Sequence, residues 1–323
     1  MAVSILETDA LKILSSTVGR FERSAEDNDS RLAEEYSTPE SAVNAPFVVA
    51  LVAVSLQAFC TGSIINKQWV VTAAHCVVKR TNRNMKVIAG ADHVSQFGNN
   101  DSIYQHRFPS KIKIHREHSY QGESFHDIAL IRVDRPFVFN SRVAKVRLWA
   151  KEWPVSFYRF GTLSCNAFGW GTLDGKTPST LLRTANIRAR HGRLSCPCFQ
   201  SDYRLICSGG SGSSGVVCPG DSGGPLICRK YLAGITRSFY SAECKKLDGP
   251  HQCSISSIVD TWTYVCPFLG FINKHVPGVS RRPANCKSPR SYNVPTPLLA
   301  YVIMASTTDI INATPSLRLG IKI

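Results

Sequence analysis

The residues able to do chemistry in this sequence fall in three short motifs. Gly220-Asp221-Ser222-Gly223-Gly224-Pro225 sets a serine among glycines, so the backbone can turn sharply and present the hydroxyl. The same turn can aim the N–H groups of Gly220 and Ser222 at one point, which is how a developing oxyanion is held. A serine hydroxyl is a weak nucleophile near neutral pH and needs a base beside it. Thr72-Ala73-Ala74-His75-Cys76 offers a histidine that its neighbouring cysteine can pin. His126-Asp127-Ile128-Ala129-Leu130 offers a carboxylate at the mouth of an apolar strand, able to hold an imidazole in one tautomer. Together the three offer a hydroxyl nucleophile, a base for it and a carboxylate to orient that base.

The elements that must position them read as β structure. From Phe47 onward, short runs rich in Val, Ile and aromatics alternate with turn residues: Phe47–Leu56, Trp69–Thr72, Met85–Ile88, Ile128–Val133, Val143–Leu148, Thr162–Cys165 and Leu232–Ile235. Such spacing predicts an all-β fold. The one helical signal is a short amphipathic stretch near Phe268–His275. Residues 1–40 are polar, turning acidic toward their end, and 276–323 read as an extension without a core of its own. The longest apolar run, 45–54, holds ten residues, too few to span a bilayer.

Two features of the composition narrow the class. The formal net charge is +15, but the basic residues are scattered and no stacking-aromatic motif accompanies them, so nucleic acid is not the expected partner. The twelve cysteines are not arranged in paired C-x-x-C elements, so disulfides explain them better than zinc does. Disulfides place the protein outside the cytosol, and sequons at Asn28, Asn100 and Asn312 agree. Glu7, Asp9 and Lys12 interrupt the stretch where the apolar region of a signal peptide belongs.

The motifs in their order, His75, Asp127, Ser222, resemble the chymotrypsin/trypsin-like serine proteases over roughly residues 32–275. Trp69-Val70-Val71-Thr72-Ala73-Ala74-His75-Cys76 and Asp127-Ile128-Ala129-Leu130 carry the resemblance with the Gly220–Pro225 turn. It implies two antiparallel Greek-key β-barrels, 32–148 and 149–275, with the active site at their interface, flanked by a propeptide or incomplete leader (1–31) and an extension (276–323). It implies a secreted monomeric endopeptidase in which Ser222 attacks, His75 is the base, Asp127 orients it, and the N–H groups of Gly220 and Ser222 hold the oxyanion. It also implies bridges Cys60–Cys76, Cys165–Cys228 and Cys218–Cys244, with Cys207 taking Cys196 or Cys198. Cys253, Cys266 and Cys286 have no family partner.

By the same resemblance, cleavage between Arg31 and Leu32 would free an ammonium to pair with Asp221, although Glu34 and Glu35 stand where the family has two glycines. The expected partners are peptide or protein substrates, an activating protease and protein inhibitors. No cofactor and no metal are expected, the latter despite His115, His118 and His126. The specificity pocket would be lined by Val216, Val217, Ser238 and Tyr240. Val216 stands six residues before the nucleophile, where trypsin-like members carry an aspartate, so an apolar preference is expected. Asp260 leaves a second route open, because an acid reaching the pocket floor from there would restore a preference for Arg and Lys. A reading from another class is a non-catalytic homologue that binds proteins, favoured by Glu34-Glu35 and by the long segment between Cys244 and Trp262.

Overall fold

Residues branched at Cβ favour the pleated backbone, and the Val- and Ile-rich runs do form strands. A computed structural model describes residues 37–53, 58–81, 83–97, 104–119, 126–154, 162–173, 177–191, 196, 204–208, 216–241, 243–246, 258–279 and 286. Arg31, Leu32, Cys198, Cys253, the three sequons and nearly all of the C-terminal extension lie outside the described residues.

In chain order the first strands are β1 (Thr38–Pro39), β2 (Val48–Ala53), β3 (Ala58–Asn66), β4 (Trp69–Thr72) and β5 (Met85–Ala89). There follow β6 (Gln105–Arg107), β7 (Pro109–Ile114), β8 (Ala129–Val133), β9 (Arg147–Leu148) and β10 (Leu163–Gly169). The last are β11 (Arg183–His191), β12 (Leu205–Cys207), β13 (Pro225–Cys228), β14 (Tyr231–Ser241) and β15 (Ile258–Tyr264). Two short α-helices, α1 (Ala74–Val77) and α2 (Leu269–His275), complete the regular elements that matter here. Among the described residues no helix is long and apolar enough to cross a membrane.

Two sheets result. One runs β6-β5-β2-β3-β4-β8-β7, all antiparallel. It curls but does not close, since no ladder joins β6 to β7 among the described residues. Those edges are consecutive in the chain, and Phe108 between them is tied elsewhere: its N–H donates to Asp134 Oδ1 at 3.0 Å and its carbonyl accepts from the Asp134 N–H at 2.8 Å. The second sheet is a closed barrel of six strands, β11-β10-β13-β14-β15-β12, with β12 returning to β11. The fold is therefore all-β, a barrel beside a curled half-barrel. β1 and β9 come from the N-terminal part of the chain yet join the second sheet, β9 as a parallel pair with β14.

Burial follows side-chain alternation where one face is wet. On β11, Ala185, Ile187 and Ala189 turn inward while Asn186 and Arg188 are exposed. On β2, which lies between layers, five of six residues are buried, so its run reads as continuously apolar. One apolar cluster holds residues of both sheets, among them Leu51, Val70 and Leu130 from the first and Leu226, Ile235 and Trp262 from the second.

Candidate active site

The three motifs meet where the sheets adjoin. β4 ends at Thr72, whose hydroxyl donates to the Thr61 carbonyl at 2.8 Å, and the chain then enters α1 carrying His75. A disulfide between Cys60 and Cys76 holds α1 to β3. Asp127 stands just before β8 with its side chain only 5% exposed, against 39% for His75. Its Oδ1 accepts from the His75 backbone N–H at 2.9 Å, and its Oδ2 lies 2.6 Å from His75 Nδ1. An ionised carboxylate only accepts, so Nδ1 carries the hydrogen and Nε2 is left as an acceptor. Burial works against the charge on Asp127, but the charge and hydrogen bonds of His75, with the positive charge of Arg237, outweigh it and hold this carboxyl below the usual range. The Asp127 carbonyl accepts from Thr263 Oγ1 at 3.0 Å, which ties it to β15 of the other sheet.

Ser222 arrives from the second sheet, in the turn before β13. Its carbonyl accepts from the Thr61 N–H at 2.8 Å, a bond that again crosses between sheets. Gly223 has φ of +77°, and a Cβ there would sit 2.1 Å from Thr72 Oγ1, so only glycine fits. The N–H groups of Gly220 and Ser222 donate to no group among the described residues. Ser222 Oγ makes no hydrogen bond to His75 Nε2, which lies 3.7 Å from Cys76 Sγ. Nucleophile–base bonds are often open in substrate-free sites.

Asp221 turns away from Ser222. Its Oδ1 accepts from Gly171 N–H at 2.8 Å and its Oδ2 from Cys218 N–H at 2.9 Å. A Cβ on Gly171 would come within 2.4 Å of this carboxylate, so the glycine makes room for it. Desolvation raises the carboxyl pKa to about 6, against the two N–H bonds and the Arg183 charge. The group faces a small cavity of about 30 Å³, and Ser37, the first described residue, lines the same cavity.

A second acid lies behind the Ser222 turn. Asp260 is directly paired with Phe239, and Ile258 with Ser241, so Asp260 and Ile258 share one face of β15. That face packs on Val216, Cys218 and Phe239. Asp260 is 1% exposed; Ser208 Oγ donates to its Oδ2 at 2.8 Å, while its buried Oδ1 is met by no side chain among the described residues. Desolvation raises its pKa to about 7, opposed by the Ser208 hydroxyl and the Val217 backbone.

These elements recur in known proteins. A family model described as Trypsin matches residues 37–257. The chain belongs to the trypsin family. Trypsin of Sus scrofa is 30% identical over 259 residues, spanning 77% of this chain and 97% of that protein. Coagulation factor IX of Cavia porcellus is 32% identical over 188 residues, 55% of this chain and 63% of the relative, so less than two thirds of that protein is spanned. The solved structure of human heparin binding protein superposes with a TM-score of 0.60 over 77% of this chain and 99% of its own, at 22% identity, which bears on the fold alone.

Within this trypsin-family chain, two expected pocket residues face elsewhere. Beside a register shift between Thr236 and Ser238, the Ser238 hydroxyl meets Tyr240 OH (3.3 Å) and Thr261 Oγ1 (3.4 Å). Tyr240, 1% exposed, packs with Cys196, Cys207 and Val259, and Phe239 takes the face beside Val216. The shift also inserts Arg237, 6% exposed, whose Nη1 donates to Tyr240 OH at 3.0 Å and whose charge reaches Asp127. Nothing in the sequence marks a bulge there. His118, its side chain 6% exposed, puts Nδ1 4.0 Å from Asp127 Oδ1; burial lowers its pKa despite that carboxylate. His115, Glu117 and His126 gather closely enough to hold a metal ion. His126 Nε2, however, lies 2.8 Å from Arg204 Nη1, so a guanidinium already supplies the positive charge beside Glu117.

The cysteines pair as Cys60–Cys76, Cys165–Cys228, Cys196–Cys207 and Cys266–Cys286. Cys218 and Cys244 are each disulfide-bonded but not to one another, so the expected Cys218–Cys244 bridge is not formed.

Proposed function

We propose that this trypsin-family chain is a secreted serine endopeptidase that works through an acyl-enzyme. Ser222 Oγ attacks the scissile carbonyl and His75 Nε2 takes its proton, later returning it to the leaving amine. Asp127 keeps His75 in the required tautomer and stabilises the imidazolium. The N–H groups of Gly220 and Ser222 receive the oxyanion. The observation that carries this reading is the 2.6 Å contact of His75 Nδ1 with Asp127 Oδ2, beside a serine turn whose two N–H groups are unspent. Secretion is supported by the disulfides, which persist in oxidising compartments. A fluorophosphonate probe tests the nucleophile: a processed, folded sample should take up one label per chain, at Ser222. Absence of label would favour the protein-binding homologue.

Activation follows from Asp221. Leu32 lies five residues before Ser37, and five extended residues reach roughly 17 Å. Because Ser37 lines the cavity that Asp221 faces, a chain cut after Arg31 can bring the Leu32 ammonium to that carboxylate. A raised carboxyl pKa means the folded state holds its proton longer than the unfolded one, so stability falls as pH rises from about 4 to about 6. The uncut chain should lose roughly 3 kcal/mol across that window from this group. In the cut chain the ammonium stabilises the ionised form and the loss should disappear. Urea unfolding of both forms at pH 4.5 and 7, on the Asp260→Asn background so that the coupled titration of Asp260 is removed, measures the difference. Equal pH dependence in the two forms would refute the pairing.

For specificity, the apolar walls of Val216 and Val217 and the acid of Asp260 point in opposite directions. The buried Oδ1 of Asp260, which no side chain and no cation meets among the described residues, favours substrates with Arg or Lys before the cleaved bond, because a cation entering there would complete its bonding.

A further inference from the structure

Away from the three motifs, a cavity of about 410 Å³ opens beside β9 and the β13–β14 turn. Its volume is that of a small-molecule pocket. Leu148 and Trp149 are buried in its wall, and Trp149 and Tyr231 meet edge to face with ring centroids 6.2 Å apart. The indole N–H donates to the Lys151 carbonyl at 2.7 Å, so Trp149 offers a ligand only apolar surface. Lys145, Arg147, Lys151 and Arg229 stand around this apolar corner, with Glu152 the one acid in the lining. Arg147 lies over the Tyr231 ring at 4.7 Å, a cation–π contact that fixes both side chains.

The turn that brings Arg229 there is itself unusual. β13 and β14 are joined by Arg229 and Lys230 alone, since Cys228 pairs directly with Tyr231. Both turn residues have positive φ, +48° and +67°. Two-residue hairpins of this kind favour Asn-Gly, because side chains are strained in the left-handed region. Here two long cations occupy the strained positions. Strain kept at such a place points to a use for the side chains.

We infer that this cavity binds a small amphiphilic anion, a planar apolar body carrying a sulfonate, sulfate or carboxylate. The body would lie against Trp149 and Tyr231, and the anionic group would meet Arg147 and Arg229. An uncharged aromatic would lack the second part and inorganic sulfate the first. None of the lining residues belongs to the three catalytic motifs, and the test does not depend on peptidase activity.

The probe is 1-anilinonaphthalene-8-sulfonate, titrated by fluorescence into the full chain. One saturable site per chain is expected, with inorganic sulfate competing at least about tenfold more weakly. Arg147→Ala should weaken binding about tenfold, the loss of one charge-assisted contact. Arg229→Gly should weaken it similarly while raising or holding the thermal midpoint, since glycine relieves the strained turn. A merely structural Arg229 would leave probe affinity unchanged on that substitution. Binding that does not saturate, or that both variants leave untouched, overturns the assignment. Equal displacement by neutral naphthalene would also overturn it, because the cations would then have no role.

Discussion

Replacing Ser222 by Ala should lower kcat by about four to six powers of ten with KM and unfolding midpoint nearly unchanged. His75→Ala should lower kcat as much, at some cost in stability because the buried Asp127 loses its main partner. The double replacement should cost little more in kcat than either alone, because a nucleophile without its base is as inert as a base without its nucleophile. Asp127→Asn should cost about four powers of ten for a different reason. The amide can donate to Nδ1, which would move the imidazole hydrogen to Nε2 and remove the acceptor that Ser222 needs. The 2.6 Å contact and the backbone N–H bond to Oδ1 would survive only in part, so a modest loss of stability should accompany that variant too. Steady-state kinetics on a peptide library substrate, with the midpoints recorded in parallel, separates the cases. Additive losses in the Ser222/His75 double variant would show that the two do not act as one unit.

Asp260→Asn should lower kcat/KM for peptides with Arg or Lys before the cleaved bond by about two to three powers of ten and leave apolar substrates unharmed. It should also make the protein more stable at alkaline pH. The native carboxyl holds its proton up to about 7, so the unsubstituted chain loses stability as pH rises from about 4 toward 7, and the amide does not ionise. The same titration predicts that the ratio of basic to apolar cleavage rises through about pH 7 in the parent and stays flat in the variant. Taking the ratio removes the titration of the catalytic base, which is common to both substrates. A preference for apolar side chains in the parent, unchanged by the substitution, would assign specificity to Val216 and Val217 instead.

Much of this was readable in the sequence because the signals are local. Trp69–Thr72 forms β4 as expected, Met85–Ile88 forms β5 with one more residue, and the amphipathic stretch at 268–275 contains α2. Where partners change along a run, the pattern misleads. Val143–Leu148 reads as one strand, but the Val146 N–H donates to Ile64, the Trp149 N–H donates to Leu232, and only Arg147–Leu148 pairs as a strand. Leu232–Ile235 was too short: β14 runs on through Thr236, Arg237 and Ser238 to Ser241, its polar residues satisfied by neighbours that no sequence window displays. The bulge that exchanges the faces of Phe239 and Tyr240 is invisible for the same reason. Cys266 and Cys286 pair across a distance set by folding, so the residue types gave no clue to the bridge. The three chemical motifs stood out because each is built from neighbours in sequence.

The hydrogen bonds from Thr61 to the Ser222 carbonyl and from Thr263 to the Asp127 carbonyl bear on how the protein is made. Chains fold from the amino end during synthesis. The half-barrel with His75 and Asp127 is complete in sequence by Val133, while the serine arrives some ninety residues later, roughly 5–20 seconds at ordinary elongation rates. A nascent chain that has passed Ser222 but not Thr263 still lacks the strand that anchors Asp127 from the far side. On the proposed reading, hydrolytic competence therefore waits until Thr263 has been made and folded into place.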